Sequence, residues 1–275
     1  MVNRMNIVNF EVKRHFKSSI VWALICSAII ILFMSFFPSM RNSGIQELVS
    51  KKMSAVPEGF MEAFGLDDMV DFTDIMQYLA YTIQYISMAI SIYALILGSN
   101  SLLSEEAEGT IEFLYAQPVD RNKIVGSKML SNAYLLFQCI LIIGAVTMGI
   151  SAIFKPEDYD LFKLLVDIKV VFIGITFSAY IYFSIGLLLS TILKPSQNTT
   201  AISIGVFFIT YVIGVLSRLK DNLEWLKFFS PFDYALPMDI VRYGWENKYI
   251  VAGIFVMLFC IIFTFIIFNR KDMKI

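Results

Sequence analysis

Between two long apolar runs lies a charged stretch, Glu105 to Met129, in which Glu105, Glu106, Glu108 and Glu112 precede Arg121, Lys123 and Lys128. Carboxylates in that number could serve acid/base or metal chemistry, yet the sequence withholds the partners such chemistry requires. Histidine occurs once, as His15, so there is no His-x-x-x-His metal pair and no serine/histidine dyad inside an apolar run. No apolar run holds an Asp or Glu away from its ends, which argues against an aspartyl dyad or a proton relay within a bilayer. A Gly-x-x-x-x-Gly-Lys-Ser/Thr phosphate loop is missing too, so any work done on ATP needs another polypeptide. The chain reads as a non-enzyme, with no catalytic residue, no metal ligand set and no cofactor of its own.

The elements that must position the charged stretch are apolar. Mean hydropathy is +0.70, and 57% of the 275 residues are hydrophobic while only 16% are charged, against roughly 25% charged in soluble domains. Six charge-free runs stand out: Ser18–Met40, Ile75–Ser104, Met129–Phe154, Val170–Leu193, Pro195–Ser217 and Tyr249–Asn269. Each exceeds the roughly 20 residues, at about 1.5 Å rise apiece, that cross about 30 Å of hydrocarbon. None shows the polar/apolar alternation of a membrane barrel. The expected fold is an all-α membrane protein, one transmembrane domain over residues 1–275.

An even number of spans puts both termini on one side. The 22 Lys and Arg divide evenly between the two faces, but the loops opposite the termini are longer, so basic density favours cytoplasmic termini; the expected location is the plasma membrane. Residues Arg4–Lys17 set Ile7, Val8, Phe10, Val12 and Phe16 among basic residues, which predicts an interfacial helix along the inner leaflet before the chain turns in. The first run is longer than a secretory signal and lacks a small-x-small cleavage site, so it is expected to be retained. Cys26, Cys139 and Cys260 fall inside runs and read as packing residues. Asn198-Thr199-Thr200 matches a glycosylation sequon but lies in a tight turn on the terminal side. On the opposite side, Arg41–Asp74 is expected to form short amphipathic helices on the outer leaflet. Arg218–Lys248, dense in aromatics and prolines, is expected to form a re-entrant hairpin or an interfacial aromatic belt.

Within the charged stretch, Glu105, Glu106 and Glu108 would complement a helix N-terminus, Ile111, Phe113, Leu114 and Tyr115 supply apolar anchors, and Pro118 stops the helix. Arg121, Lys123 and Lys128 then suit phosphate head groups or an acidic partner rim. These features fit a docking element and a solvated surface loop equally well. Glu105-Glu106 also resembles the start of a prenyl-type membrane protease motif, but Thr110 or Ile111 stands where that motif needs Arg.

The order of residues here resembles the permeases of the type-2 ABC exporter family. That family's pattern of Glu, Gly-Thr-Leu/Ile-Glu, Pro-Val-Ser-Arg and Gly-Lys is matched by Glu105 or Glu106, then Gly109-Thr110-Ile111-Glu112, Pro118-Val119-Asp120-Arg121 and Gly126-Ser127-Lys128. Asp120 replaces Ser, and Ser127 separates the Gly from the Lys. Ser230-Pro231-Phe232 before the sixth run and the Phe268-Asn269-Arg270-Lys271-Asp272 ending extend the resemblance. It implies that Glu105–Gln117 is a coupling helix, with Glu105, Glu106, Glu108, Gly109, Thr110, Glu112, Phe113, Leu114, Tyr115, Pro118 and Arg121 contacting a cytoplasmic ABC ATPase subunit. It further implies two copies of that ATPase, carrying ATP and Mg, and a second permease copy or similar paralogue, all in a lipid bilayer and without nucleic acid.

A pathway is expected from Gln77, Tyr81, Gln84, Met88 and Ser91, which recur at three- and four-residue intervals on one helix face. An uncharged stripe favours an amphipathic peptide, antibiotic or lipid-like cargo over a bare ion, which needs dense oxygen ligands. The alternatives are a sodium or small-ion exporter permease and a non-transporting membrane anchor or sensor for an ATPase.

Overall fold

The computed structural model describes residues 4–41, 71–103, 120–194 and 196–270. Among these residues the chain is helical, with six helices long and apolar enough to cross a membrane. They are α1 (Arg4–Met40), α2 (Ile75–Asn100), α3 (Arg121–Phe154), α4 (Leu161–Ile192), α5 (Thr199–Arg218) and, after the short α6 (Pro237–Tyr243), α7 (Asn247–Arg270). The order matches the six expected runs, but α1, α3, α4 and α7 begin earlier than their apolar stretches do, α2 begins with its stretch and α5 begins four residues into it. Charge-free runs miss the polar turns with which helices start: α4 opens at Leu161, nine residues before its charge-free run, from a cap in which Asp160 accepts from the Phe162 amide at 3.0 Å.

One expectation fails at the start of the chain. The expected turn between an interfacial helix and the first span does not occur, because α1 runs unbroken from Arg4 to Met40, roughly 55 Å at about 1.5 Å per residue. No Gly or Pro lies between Arg4 and Phe37 to break it, and Pro38 falls in the last turn. The buried face of α1 carries Glu11, Ser19, Ala23, Cys26, Ile30, Met34 and Phe37, at helical spacing.

Two helix pairs make the body. In the first, α1 packs along α3 through small side chains: Ser19, Ala23 and Cys26 on one helix, Ser131 and Cys139 on the other, all buried. Ser19 Oγ donates to the Leu135 carbonyl at 3.0 Å. In the second, α2 and α4 cross where Gly98 meets Gly186; a Cβ on Gly98 would run into the Phe183 carbonyl, and one on Gly186 into the Leu95 carbonyl. Such close backbone approach is what small residues allow in lipid, where apolar burial gives little drive for helices to associate. Between the pairs the contacts are larger rings, Trp22 with Tyr93 and Phe37 with Tyr78, each at 5.3 Å between centroids.

Across the face opposite the termini, residues 219–246 fold back onto the bundle as short helical pieces, Asp221–Phe229, Asp233–Ala235 and α6. Residues 230–238 are buried throughout. Tyr249 stacks on Tyr234 with rings 5.6 Å apart and lies beneath two ammonium groups, Lys227 at 4.7 Å and Lys248 at 4.8 Å. The aromatics of this segment therefore serve its packing as much as any interface.

Candidate functional site

The end of α2 is where the segment 104–119 departs, and α3 is where it returns. Three consecutive residues at that end each bind a different neighbour. Ser99 Oγ and Ser203 Oγ are 2.8 Å apart, Asn100 accepts from Thr199 Oγ1, and Ser101 receives two bonds from α3. The Lys128 ammonium donates to the Ser101 carbonyl at 2.9 Å and the Asn132 amide donates to Ser101 Oγ at 3.0 Å. Ser101 is the C-cap of α2, so a cation meets carbonyls that have no intrahelical partner, at the negative end of the helix dipole.

Lys128 is enclosed, at 1% exposure, and its ammonium lies 3.4 Å from the Glu11 carboxylate, itself almost as enclosed. His15, one turn along α1, stands 3.8 Å from the other Glu11 oxygen. Ser131, one turn beyond Ser127, donates to the Ser127 carbonyl at 2.7 Å and reaches the Val8 carbonyl at 3.4 Å. Removing either member of a buried pair strands the other charge, so α1, α2 and α3 are held together here by mutual dependence. The last helix joins them: Leu102, Val125 and Phe268 form an apolar cluster, Arg121 donates to the Asn269 carbonyl at 3.4 Å, and Asn269 donates to Asn122 at 2.7 Å. The end of α2 and the start of α3 are thus a junction of the first, second, third, fifth and last spans.

Of the residues expected to couple to an ATPase, Glu105, Glu106, Glu108, Gly109, Thr110, Glu112, Phe113, Leu114, Tyr115 and Pro118 lie outside the described residues, as does most of the stretch from Arg41 to Asp74. Arg121 is described and opens α3. Lys128 corrects an expectation. It faces inward to Glu11 and Ser101, where no head group reaches it, whereas Lys123 stays exposed and pairs with Asp120 at 3.0 Å. Glu11, Ser101 and Asn132 carried no motif that would mark them. The nearest signal was the spacing of Glu11 and His15 by four residues on one helix face.

The expected pathway stripe is split by its surroundings. Gln77 lines a cavity of about 430 Å³ on the face opposite the termini, together with Asp74, Tyr159, Lys163, Asp167 and Arg242. Its side-chain oxygen accepts from the Asp71 amide at 3.1 Å. Tyr81 accepts a hydrogen bond from exposed Tyr85 at 2.9 Å, with the two rings edge to face. Met88 is half-buried, while Gln84 and Ser91 are buried inside the protomer.

A second buried pair went unseen in the sequence. Arg218 at the end of α5 binds Asp233 of the folded-back segment, and the carboxylate is fully enclosed. Asp233 Oδ2 and Ser230 Oγ have no hydrogen-bond partner among the described residues. Both lie where a side chain at Gly214 would be. Asn198, the sequon residue, is the N-cap of α5 and accepts from the Ala201 amide at 3.1 Å.

No curated protein matches the chain. The family model for the ABC-2 family transporter protein matches residues 5–273. With the model spanning nearly the whole sequence and six membrane-crossing helices in the fold, the chain belongs to the ABC-2 family of transporter proteins.

Proposed function

We propose that the chain is the permease subunit of an ATP-driven exporter, with ATP and Mg bound by a separate cytoplasmic ATPase and the segment 104–119 as its docking element. The observation that carries this reading is the match of the family model over residues 5–273, joined to the convergence of five spans around the end of α2 and the start of α3, the two elements that flank that segment in the chain. A force applied there reaches five spans at once, which is what a coupling element requires. An amphipathic peptide, antibiotic or lipid-like molecule is the cargo class, since Gln77, Tyr81, Gln84, Met88 and Ser91 offer hydroxyls, amides and apolar surface without charge. Two permease copies would enclose the route, with both termini cytoplasmic in a plasma membrane.

Co-expression with a cognate ABC ATPase tests this reading. Phe113→Ala and Glu106→Lys should each lower permease-stimulated hydrolysis about tenfold, the effect of losing about 1.4 kcal/mol at an interface anchor. Undiminished co-purification and stimulation in both variants would overturn the docking assignment.

A further inference from the structure

On the face opposite the termini, the cavity of about 430 Å³ that Gln77 borders collects charge of both signs. Asp74 caps the start of α2, Tyr159 lies in the loop before α4, Lys163 and Asp167 stand near the start of α4, and Arg242 is near the end of α6. Lys163 and Asp167 are four residues apart, a spacing at which opposite charges on one helix face can meet. Neither side chain forms an ion pair or a hydrogen bond among the described residues. Asp74 Oδ1 accepts from the Gln77 amide at 2.8 Å, which leaves Oδ2. The Gln77 side-chain oxygen accepts from the Asp71 amide at 3.1 Å, which leaves its NH2 group. Tyr159 is held by Lys155, whose ammonium donates to the Tyr159 carbonyl at 2.7 Å. Burial, and then the charges of Asp74 and Asp167, push the Tyr159 hydroxyl above its ordinary value of 10, so it stays protonated beside the two carboxylates.

Carboxylates and cations around one concavity, with the α4 pair held apart, match a ligand that carries both signs itself. The rest of the lining says what kind. Met76, Val171 and Ile240 give the cavity a buried apolar floor, and on the adjoining face of α4 the side chains of Phe162, Val166 and Ile173 are exposed. A ligand that uses all of this surface is amphipathic. Its cationic end meets hydrogen-bond acceptors, two carboxylates and a phenol oxygen, which suit a primary ammonium with three N–H donors; a trimethylammonium group has none and is held by aromatic faces instead. We propose that this cavity binds the head group of a phospholipid with a primary ammonium, in the leaflet opposite the termini. The ammonium lies among Asp74, Asp167 and Tyr159, the phosphate lies against Lys163 and Arg242, and the acyl chains run along Phe162, Val166 and Ile173. The volume is at the lower end of the range of about 300–1,000 Å³ found for small-molecule sites, room for a head group with the chains left to the membrane. This assignment needs no ATPase and stands apart from the permease reading.

Native mass spectrometry of retained lipid tests the site, using the full chain purified in detergent and incubated with equal concentrations of phosphatidylethanolamine, phosphatidylcholine and phosphatidylglycerol. Phosphatidylethanolamine should be retained about tenfold over either competitor, the scale of one charge-assisted hydrogen bond. Asp167→Asn and Lys163→Gln change side chains that are half-buried and exposed, respectively. Each should lower that preference several-fold while leaving the unfolding midpoint unchanged. Glycerophosphoethanolamine, which has the head group without the chains, should fail to displace the lipid at the same concentration. Equal retention of the three lipids, or a preference undiminished in both variants, would overturn the site. A preference for phosphatidylglycerol that Lys163→Gln alone removes would show an anion site and overturn the role of the carboxylates. Displacement by glycerophosphoethanolamine at equal concentration would overturn the lipid as the occupant and assign the cavity to a soluble zwitterion.

Discussion

Arg218 and Asp233 form an ion pair in which the carboxylate is wholly enclosed, joining the end of α5 to the segment that folds back between the fifth and last spans. Only a glycine at position 214 leaves room for it, since a Cβ there would overlap Asp233 Oδ2 and Ser230 Oγ. Arg218→Met leaves a buried carboxylate without its cation and should cost about 3–5 kcal/mol, whereas replacing both partners with leucine should cost much less. Thermal unfolding in detergent, followed by tryptophan fluorescence, orders the variants. A single variant as stable as wild type would mean that the pair is solvated in the membrane.

Gly98 and Gly186 set the distance between α2 and α4. Gly98→Ala places a methyl group against the Phe183 carbonyl and the Leu187 amide, which are backbone atoms and cannot rotate aside. A cost of about 1–3 kcal/mol is expected from such overpacking. Gly149→Ala is the control, since a Cβ there meets nothing within 4 Å, and it should leave the unfolding midpoint unchanged or slightly raised. Equal midpoints for the two variants would show that the helices re-space at no cost.

Six spans were legible because charge-free length is a direct consequence of the bilayer's thickness, and their order survives in α1 to α5 and α7. What escaped is equally physical. Lys128 reads as a surface cation because it flanks an apolar run, and nothing local reveals that Glu11, 117 positions earlier, shares its pocket. Asp233 and Arg218 are similarly ordinary loop residues until the chain folds back. Burial of paired charge depends on tertiary contacts, and periodicity carries no trace of it. The continuity of α1 was legible in principle, from the absence of any Gly or Pro before Pro38, but amphipathic basic residues argued for a surface helix instead.

On the face opposite the termini, Lys248 bonds Glu224 at 2.9 Å and holds its carboxyl below the ordinary value of 4.5. A depressed folded value means that the pair contributes above pH 4.5 and that the contribution is lost as pH falls through the lowered folded value. Glu224→Gln should therefore differ from wild type at neutral pH and converge with it under acid. Because the carboxylate is exposed, the difference should be small and should shrink further in high salt. Unfolding midpoints at pH 7 and pH 3, each at low and high salt, check the prediction. A difference that persists at pH 3 would show that the carboxyl acts through packing instead of charge.

The pathway stripe makes the sharpest demand on the fold, because its members differ in exposure along one helix. A cysteine at Gln77 borders the polar cavity and should react readily with a membrane-impermeant thiol reagent added from the face opposite the termini. Cysteines at Gln84 and Ser91 should be protected at rest, since Gln84 is 7% and Ser91 2% exposed. If the route runs between the helix pairs, ATP with vanadate must open it, and labelling at both positions should rise while that of an exposed control, Phe255 on α7, stays unchanged. A rise at Gln84 without Ser91 would place the opening in the outer half alone. Protection of both in every nucleotide state would assign the stripe to the packing of α2 and move the route to another face of the protomer.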